Sequence, residues 1–408
     1  MADADKQSSF PFETEPYRVF SPTAPIDEKA LFAGRIKQVS EVLAAIAQKG
    51  QHAILYGERG VGKTSLANVI ADFLGRDKVI TPRLNCDSLD NFASVWNKVM
   101  DEIWMQNMVA AAGFGDAKKD ESYSAKELLG DTINPDSVRR ALTIVSTKSL
   151  PIIILDEFDR LDEITKRGIA DTVKTLSDHS VNATILLVGV ADSVDQLIGQ
   201  HESVERALAQ VHMPRMSAAE IRQIIVTGLS RLGLTIEESA MQKIEMLARG
   251  LPHYAHLLGL HSAQQAMAAR VTEVSIPVVD AAIRSAISGA QQSIKTAWHT
   301  ATTSPRKDNL FADVLLACAL AAPDELGYCA PQDIREVLKV ILTRPIRIAN
   351  FSQHLIDFCD AKKGPILEKK GETRKFRYRF INPLMQTFVV MQGFAMGKLD
   401  DAKLRELS

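Results

Sequence analysis

Apolar positions along the chain fall into two rhythms. In the first half, short unbroken apolar runs of strand length alternate with stretches where apolar residues return every three or four positions. That alternation predicts an α/β fold with a parallel sheet. Ile36, Val39, Leu43 and Ile46 mark a short amphipathic helix that Gly50 stops. His52 to Tyr56 reads as a strand, Leu66, Val69, Ile70 and Phe73 as a helix closed by Gly75, and Val79 to Cys86 as a second strand. Asn91 to Met108 reads as one helix carrying Phe92, Val95, Trp96, Val99 and Ile103. From Ala110 to Pro135 the rhythm gives way to Gly, Asp, Lys, Glu and Ser, the composition of a loop insertion. Ile152 to Leu155 is wholly apolar, as a buried parallel strand should be; a helix over Asp162 to Ser177 and a strand over Thr184 to Val190 follow.

After Pro214 the strand signals stop. Ser217-Ala-Ala-Glu220 and Thr235-Ile-Glu-Glu238 both have the form of a capping box opening a helix. Helices over Pro252 to Arg270 and Pro277 to Trp298 continue this part, and the polar stretch His299 to Asp308 reads as a linker. Leu310 to Ala321, Pro331 to Leu342 and Ile348 to Cys359 predict three more helices. A short strand near Pro365 to Leu367, a charged turn and a strand at Phe376 to Phe380 close the pattern. Three helices followed by a two-stranded turn is the order of a winged helix.

Chemistry enters where the first strand ends. Gly57 to Thr64 reads Gly-Glu-Arg-Gly-Val-Gly-Lys-Thr, a phosphate-binding loop between a strand and a helix. Gly57, Gly60 and Gly62 let the backbone N–H groups of Glu58, Arg59 and Val61 turn inward around a phosphate, with no Cβ in the way. Lys63 supplies a positive charge to the β- and γ-phosphates, the Thr64 hydroxyl suits Mg²⁺, and the helix that carries Ser65 adds its N-terminal dipole. The alternative is a glycine-rich turn with a stray lysine. The second motif is Pro151-Ile-Ile-Ile-Leu-Asp-Glu-Phe-Asp159. Its apolar run carries Asp156 to the sheet edge where ligands bind, placing Asp156 for Mg²⁺ and Glu157 as the general base on an attacking water. A solvated acidic turn is the alternative there.

With 408 residues the chain has room for two or three domains. The expected boundaries are a flexible segment at 1–20, a nucleotide-binding domain at 21–215 with its insertion at 110–135, a helical lid at 216–298 and a winged helix at 309–398. Lys plus Arg number 48 against 50 for Asp plus Glu, so any basic surface is local. One local patch stands out: Lys362, Lys363, Lys369, Lys370, Arg374, Lys375, Arg377 and Arg379 fall within 18 positions, opposed by Glu368 and Glu372. Asn350, Ser352, Gln353 and His354 lie on the helix before it. A duplex-DNA surface, a protein-docking surface and a plain solvated hairpin all fit this layout. Phe376, Tyr378 and Phe380 alternate with the arginines, so one face is expected to be core. The four cysteines are widely spaced, as for reduced thiols in a cytosolic, cytoplasmic protein. The chain start lacks a basic patch followed by an apolar run, and no membrane span is expected.

With these motifs in order, the chain resembles the AAA+ ATPases of the initiator and origin-recognition branch, the bacterial and archaeal members that end in a winged helix. Phe32-Ala-Gly-Arg35, the phosphate loop, Asp156-Glu157-Phe158-Asp159, the lid and the basic wing carry the resemblance. STAND-type signalling ATPases share the early motifs. The resemblance implies ATP and Mg²⁺ as ligands, a homo-oligomer with hydrolysis at the subunit interface, and duplex DNA on the winged helix. A STAND-like reading instead implies a separate effector protein as partner. The arginine that a neighbouring subunit contributes falls at Arg206, with Arg215 the second choice; the alternative for Arg206 is an ordinary surface arginine. Two positions depart from the family. After Val188-Gly189-Val190-Ala191 only Asp192 or Ser193 can serve as the polar sensor. The lid position normally held by arginine is His253, which would touch the γ-phosphate when protonated; the alternative is a histidine packed beside Tyr254. Both departures imply slow turnover and leave ATP binding untouched.

Overall fold

The computed structural model describes residues 15–22, 35–75, 78–108, 120–198, 202–305, 309–324, 327–372 and 375–407. The chain divides into two compact units, Pro25–Pro214, and Met1–Ala24 together with Arg215–Ser408. A short helix, α1 (Glu15–Val19), belongs to the second unit. The first unit runs α2 (Ile36–Ala47), β1 (His52–Gly57), α3 (Lys63–Leu74), β2 (Val79–Ile80), β3 (Arg83–Asn85), α4 (Phe92–Asp101), β4 (Trp104–Met108), β5 (Asp120–Ser124), α5 (Pro135–Val145), β6 (Leu150–Asp156), α6 (Glu163–Asp178), β7 (Thr184–Val190), α7 (Asp195–Ile198), α8 (Glu202–Glu205) and β8 (Leu208–His212).

Its main sheet has the order β2-β6-β7-β1-β8, with β3 also paired to β6, and every pairing is parallel. The ends of β1 and β6 therefore flank β7, and ligand-binding loops after both strands share one sheet edge. Ile152 to Leu155 and Ile185 to Val188 are fully buried, because helices cover both faces of the sheet.

Several expected elements change form. The strand over Val79 to Cys86 is split, since Pro82 has no N–H for the ladder; its carbonyl still accepts from the Ile154 amide at 2.9 Å. The helix expected to run to Met108 ends at Asp101. Ile103 and Met105 are buried while Trp104 is 68% exposed, a period of two that selects a strand, and β4 pairs antiparallel with β5. The insertion at 110–135 is not structureless throughout: residues 109–119 lie outside the described residues, but β5 follows and Ala125 and Leu129 are buried. Helix α5 had no counterpart in the sequence reading. Asn134 caps it by accepting from the Asp136 and Ser137 amides, and Pro135 opens the first turn.

The second unit is helical, with α9 (Ala218–Arg231), α10 (Glu238–Ala248), α11 (Pro252–Ala269), α12 (Ile276–Gly289), α13 (Gln292–Thr302), α14 (Phe311–Leu320), α15 (Pro331–Leu342), α16 (Ser352–Asp357), α17 (Pro383–Ala395) and α18 (Asp401–Glu406). Ser217 and Glu220 form the expected capping box. Thr235 does not: it lies in a short strand, β9 (Thr235–Ile236), paired with β10 (Glu273–Val274), and Glu237 stands at the N-cap of α10. One expected helix, Pro277 to Trp298, breaks after Gly289, and α13 then runs into the expected linker as far as Thr302. The hairpin forms with β11 (Leu367–Lys370) antiparallel to β12 (Arg377–Phe380). Of the segment expected to be flexible, residues 15–20 are described; Pro16 and Phe20 are buried, while Glu15, Tyr17 and Arg18 are exposed. Phe20 is 1% exposed and fits against Gly228 and Gly259, where a Cβ would come within 2.3 and 2.4 Å of its ring. Among the described residues no helix is long and apolar enough to cross a membrane.

Candidate functional site

The loop after β1 is shaped by its own glycines. Gly57, Gly60 and Gly62 have φ of 148°, 86° and 95°, and Gly62 forms the N-cap of α3. A Cβ on Gly57 would come 2.4 Å from the Met213 carbonyl oxygen, because the Met213 amide donates to the Tyr56 carbonyl at 2.8 Å. Gly57 is thus required by the chain leaving β8 as well as by any phosphate. Thr64 and Ser65 lie half-buried in the first turn of α3; Val61 is fully buried, Glu58 half-buried and Arg59 exposed.

Lys63 is buried, and its Nζ donates to the carbonyls of Gly57 at 2.9 Å and Glu58 at 2.7 Å. Burial lowers its pKa to about 8, while the charges of Asp159, Asp156 and Glu58 pull it up and Arg59 pushes it down. The lysine and the acidic segment after β6 are therefore close enough to feel one another. A second cation also reaches this loop. Arg35, buried and at φ 64°, donates from Nη2 to the Pro214 carbonyl at 2.6 Å and lies 3.5 Å from the Val61 carbonyl. The rest of its tetrad, Phe32 to Gly34, lies outside the described residues.

Asp156 ends β6 and is 3% exposed. One carboxylate oxygen accepts from the Glu157 amide and the other from Arg83 Nη2, each at 2.8 Å. Glu157 sits in the left-handed region at φ 54°, with its carboxylate half-exposed and paired to Arg160 at 2.9 Å. Asp159 Oδ1 accepts from the Val190 amide at 2.8 Å, tying the end of β7 to the acidic segment. Arg83 was not singled out from sequence, and Arg35 and Asp159 only as members of their tetrads. No spacing rule marks Arg83; it comes to Asp156 through the β3–β6 pairing, which sets Asn85 opposite Asp156.

Asp192 follows β7, and its amide donates to Gln196 at 2.9 Å. Arg206 is exposed in the turn before β8. Arg215 and His253 belong to the second unit. Arg215 donates to the Arg249 carbonyl at 3.3 Å and to Gln386 at 3.1 Å. His253 shares its Nδ1 with the Pro22 carbonyl at 2.7 Å and stands edge-on to the Tyr254 ring, with burial lowering its pKa.

Among the described residues no three His, Cys, Asp or Glu side chains gather as a cage for a metal. Thr64 and Asp156 nonetheless fit Mg²⁺, which is usually held by one or two carboxylates together with substrate phosphates. Asp156 is a buried carboxylate that already holds a cationic group, the Arg83 guanidinium.

In the second unit, Lys362, Lys369, Lys370, Lys375 and Arg377 are exposed, and Arg374 lies outside the described residues. Arg377 pairs with Asp324 at 2.6 Å, Arg379 with Glu368, and Lys363 donates to the Thr303 carbonyl at 2.5 Å. Tyr378 and Phe380 are buried, as the alternation predicts. His354 packs its ring on Phe311 at 4.6 Å, and Gln353 bonds Asp357 at 2.8 Å. The four cysteines are free thiols.

Residues 31–188 match the family model of the AAA ATPase domain. The fold is similar to that of the Walker-type ATPase of Pyrococcus abyssi, at 15% identity and a TM-score of 0.55 over 90% of this chain and 98% of that one. Two proteins of Aeropyrum pernix are more distant in fold. The ORC2 protein in its ADPNP-ADP complexes has 13% identity and a TM-score of 0.47, covering 92% of this chain and 99% of its own. The ORC1 protein in complex with DNA has 16% identity and a TM-score of 0.44, covering 94% and 98%. No curated protein matches the chain by sequence.

Proposed function

We propose that this chain, which carries an AAA ATPase domain and so hydrolyses ATP, is a nucleotide-dependent switch that oligomerises and grips duplex DNA through a winged helix in its last hundred residues. The observation that carries the catalytic part is the sheet order, in which β1 and β6 run parallel on either side of β7 and so end on one edge. That order supports a site in which the loop after β1 holds phosphate and Asp156 and Glu157, after β6, act beside it. Lys63 and the amides of residues 58–63 bind the β- and γ-phosphates. The half-exposed carboxylate of Glu157 orients the attacking water and takes its proton. Thr64 and Asp156 would hold Mg²⁺, which would supply positive charge to the phosphate oxygens. Asp192 is the polar group beside the γ-phosphate, and the exposed Arg206 is offered to the site of a neighbouring subunit, where it stabilises transition-state charge.

A second reading rests on the hairpin. Arg377, Arg379 and Lys363 are spent on partners within the second unit, which favours a signalling ATPase whose hairpin docks a separate effector protein. The readings separate in one experiment: ATP turnover and particle mass with and without duplex DNA, for wild type, Glu157→Gln, and a variant with Lys369, Lys370 and Lys375 changed to Ala. Salt-sensitive DNA binding lost in the triple variant supports the DNA switch. ATP-dependent assembly without DNA affinity supports the docking reading. Wild-type turnover in Glu157→Gln removes Glu157 as the base.

A further inference from the structure

Asp156, the carboxylate proposed above for Mg²⁺, is already engaged by a cationic residue of the chain itself. Asp156 is 4% exposed at its side chain, and both its oxygens are engaged, one by the Glu157 amide and one by Arg83 Nη2. Arg83 lies two residues before Asn85 on β3, the strand paired with β6, so its side chain runs forward along the sheet to reach Asp156. Its backbone is fixed, the Arg83 amide donating to Glu102 at 2.9 Å. Its head is less well served. The Nε is buried without a hydrogen-bond partner among the described residues, while the side chain as a whole is 26% exposed. A guanidinium held through one nitrogen, with another donor unsatisfied and solvent within reach, is a contact that can be given up.

We propose that Arg83 is the resting counter-ion of Asp156 and sets the Mg²⁺ requirement of nucleotide binding. It is a positioning residue that a divalent cation must displace. A buried carboxylate without a counter-charge is costly, so the apo site needs such a partner. A guanidinium and a divalent cation on one carboxylate repel each other strongly where the local dielectric is low. Metal loading and release of Arg83 are then one event, and the site opens only when nucleotide brings phosphate oxygens to share the metal. This inference rests on the reading of Asp156 as the Mg²⁺ carboxylate.

The test is the affinity of a fluorescent ATP analogue at graded free Mg²⁺, measured on the full chain by equilibrium titration. Arg83→Gln should reach half of the full Mg²⁺ effect at roughly tenfold lower free Mg²⁺ than wild type, as expected for removing one unit charge from a poorly solvated site. In an Asp156→Asn background the same substitution should change nothing. If Arg83→Gln fails to fold, Arg83→Lys, which keeps the charge but not the flat fork, should shift the requirement the same way by about two- to threefold. An unchanged Mg²⁺ requirement, or a higher one, in the folded variant overturns the proposal. A wild-type protein whose analogue binding ignores Mg²⁺ would instead overturn the assignment of Asp156, and so separates the two failures.

Discussion

The Asp159 carboxylate and the Val190 amide meet at 2.8 Å, so the last residue of β7 hangs on the acidic segment that follows β6. This bond ties the end of β7 to the segment that carries Glu157, the proposed base. Asp159→Ala should destabilise the protein by about 1 kcal/mol, the value of one partly exposed hydrogen bond to a charged acceptor, read as a lower urea midpoint. Its ATP turnover should fall more than its ATP affinity, since Asp159 bonds the end of β7 and acts on the phosphate loop only through its charge on Lys63. Asp159→Asn keeps an acceptor and should recover most of the stability.

Gly57→Ala is expected to be harmful before any nucleotide is added. The new Cβ would stand 2.4 Å from the Met213 carbonyl, a backbone atom that cannot swing aside. A loss of about 2 kcal/mol or more follows from such overpacking. The measurement is the melting temperature of nucleotide-free protein, and a melting temperature equal to wild type would show that Gly57 matters only for phosphate.

The phosphate loop was legible in the sequence because its chemistry is local: glycines, lysine and threonine act through the backbone they themselves bend. The apolar strands β6 and β7 were legible for the same reason, each declaring its burial residue by residue. What was missed depends on partners distant in sequence. Trp104 to Met108 looked helical because Val99 and Ile103 continue a four-residue spacing, and only pairing with β5 makes them a strand. Thr235 has the residues of a capping box, but its amide goes to Thr272 at 2.9 Å, so Glu237 takes the N-cap. Arg83 carries no signal at all until β3 lies against β6.

Two buried histidines predict acid lability. Burial lowers the pKa of His52 and of His256 from 6.5 to about 4. In the unfolded chain these side chains take a proton near pH 6.5, while in the fold they resist it. Their contribution to stability is therefore complete above pH 6.5 and is lost as pH falls toward 4, by up to about 3 kcal/mol each. His52 Nδ1 accepts from the Ile185 amide at 3.0 Å, so its protonation also breaks a bond between β1 and β7. Urea midpoints at pH 7, 6, 5 and 4 should fall progressively. His52→Asn keeps an acceptor in place of Nδ1 and should flatten the fall; an equal fall in that variant would exclude His52 as a source.

Lys63 predicts two pH trends of opposite direction from one side chain. Its pKa in the unliganded fold is about 8, against 10.5 when exposed. Between those values the unfolded chain holds the proton that the fold has released, so the intrinsic stability of the unliganded protein rises with pH from about 8 to 10.5. Nucleotide binding moves the other way. Phosphates next to Nζ favour the ammonium and raise its pKa, so affinity is complete below about pH 8 and falls as pH rises above it, by at most tenfold per unit. Lys63→Met removes the titrating group and should abolish both trends. Its nucleotide affinity should be low at every pH, and the stability of wild type relative to it should climb by up to about 3 kcal/mol between pH 8 and 10.5. Fluorescent-nucleotide titrations and urea midpoints across pH 7 to 10 read the two trends separately. Affinity that holds constant from pH 7 to 10 in the wild type would mean that Lys63 does not face the phosphates.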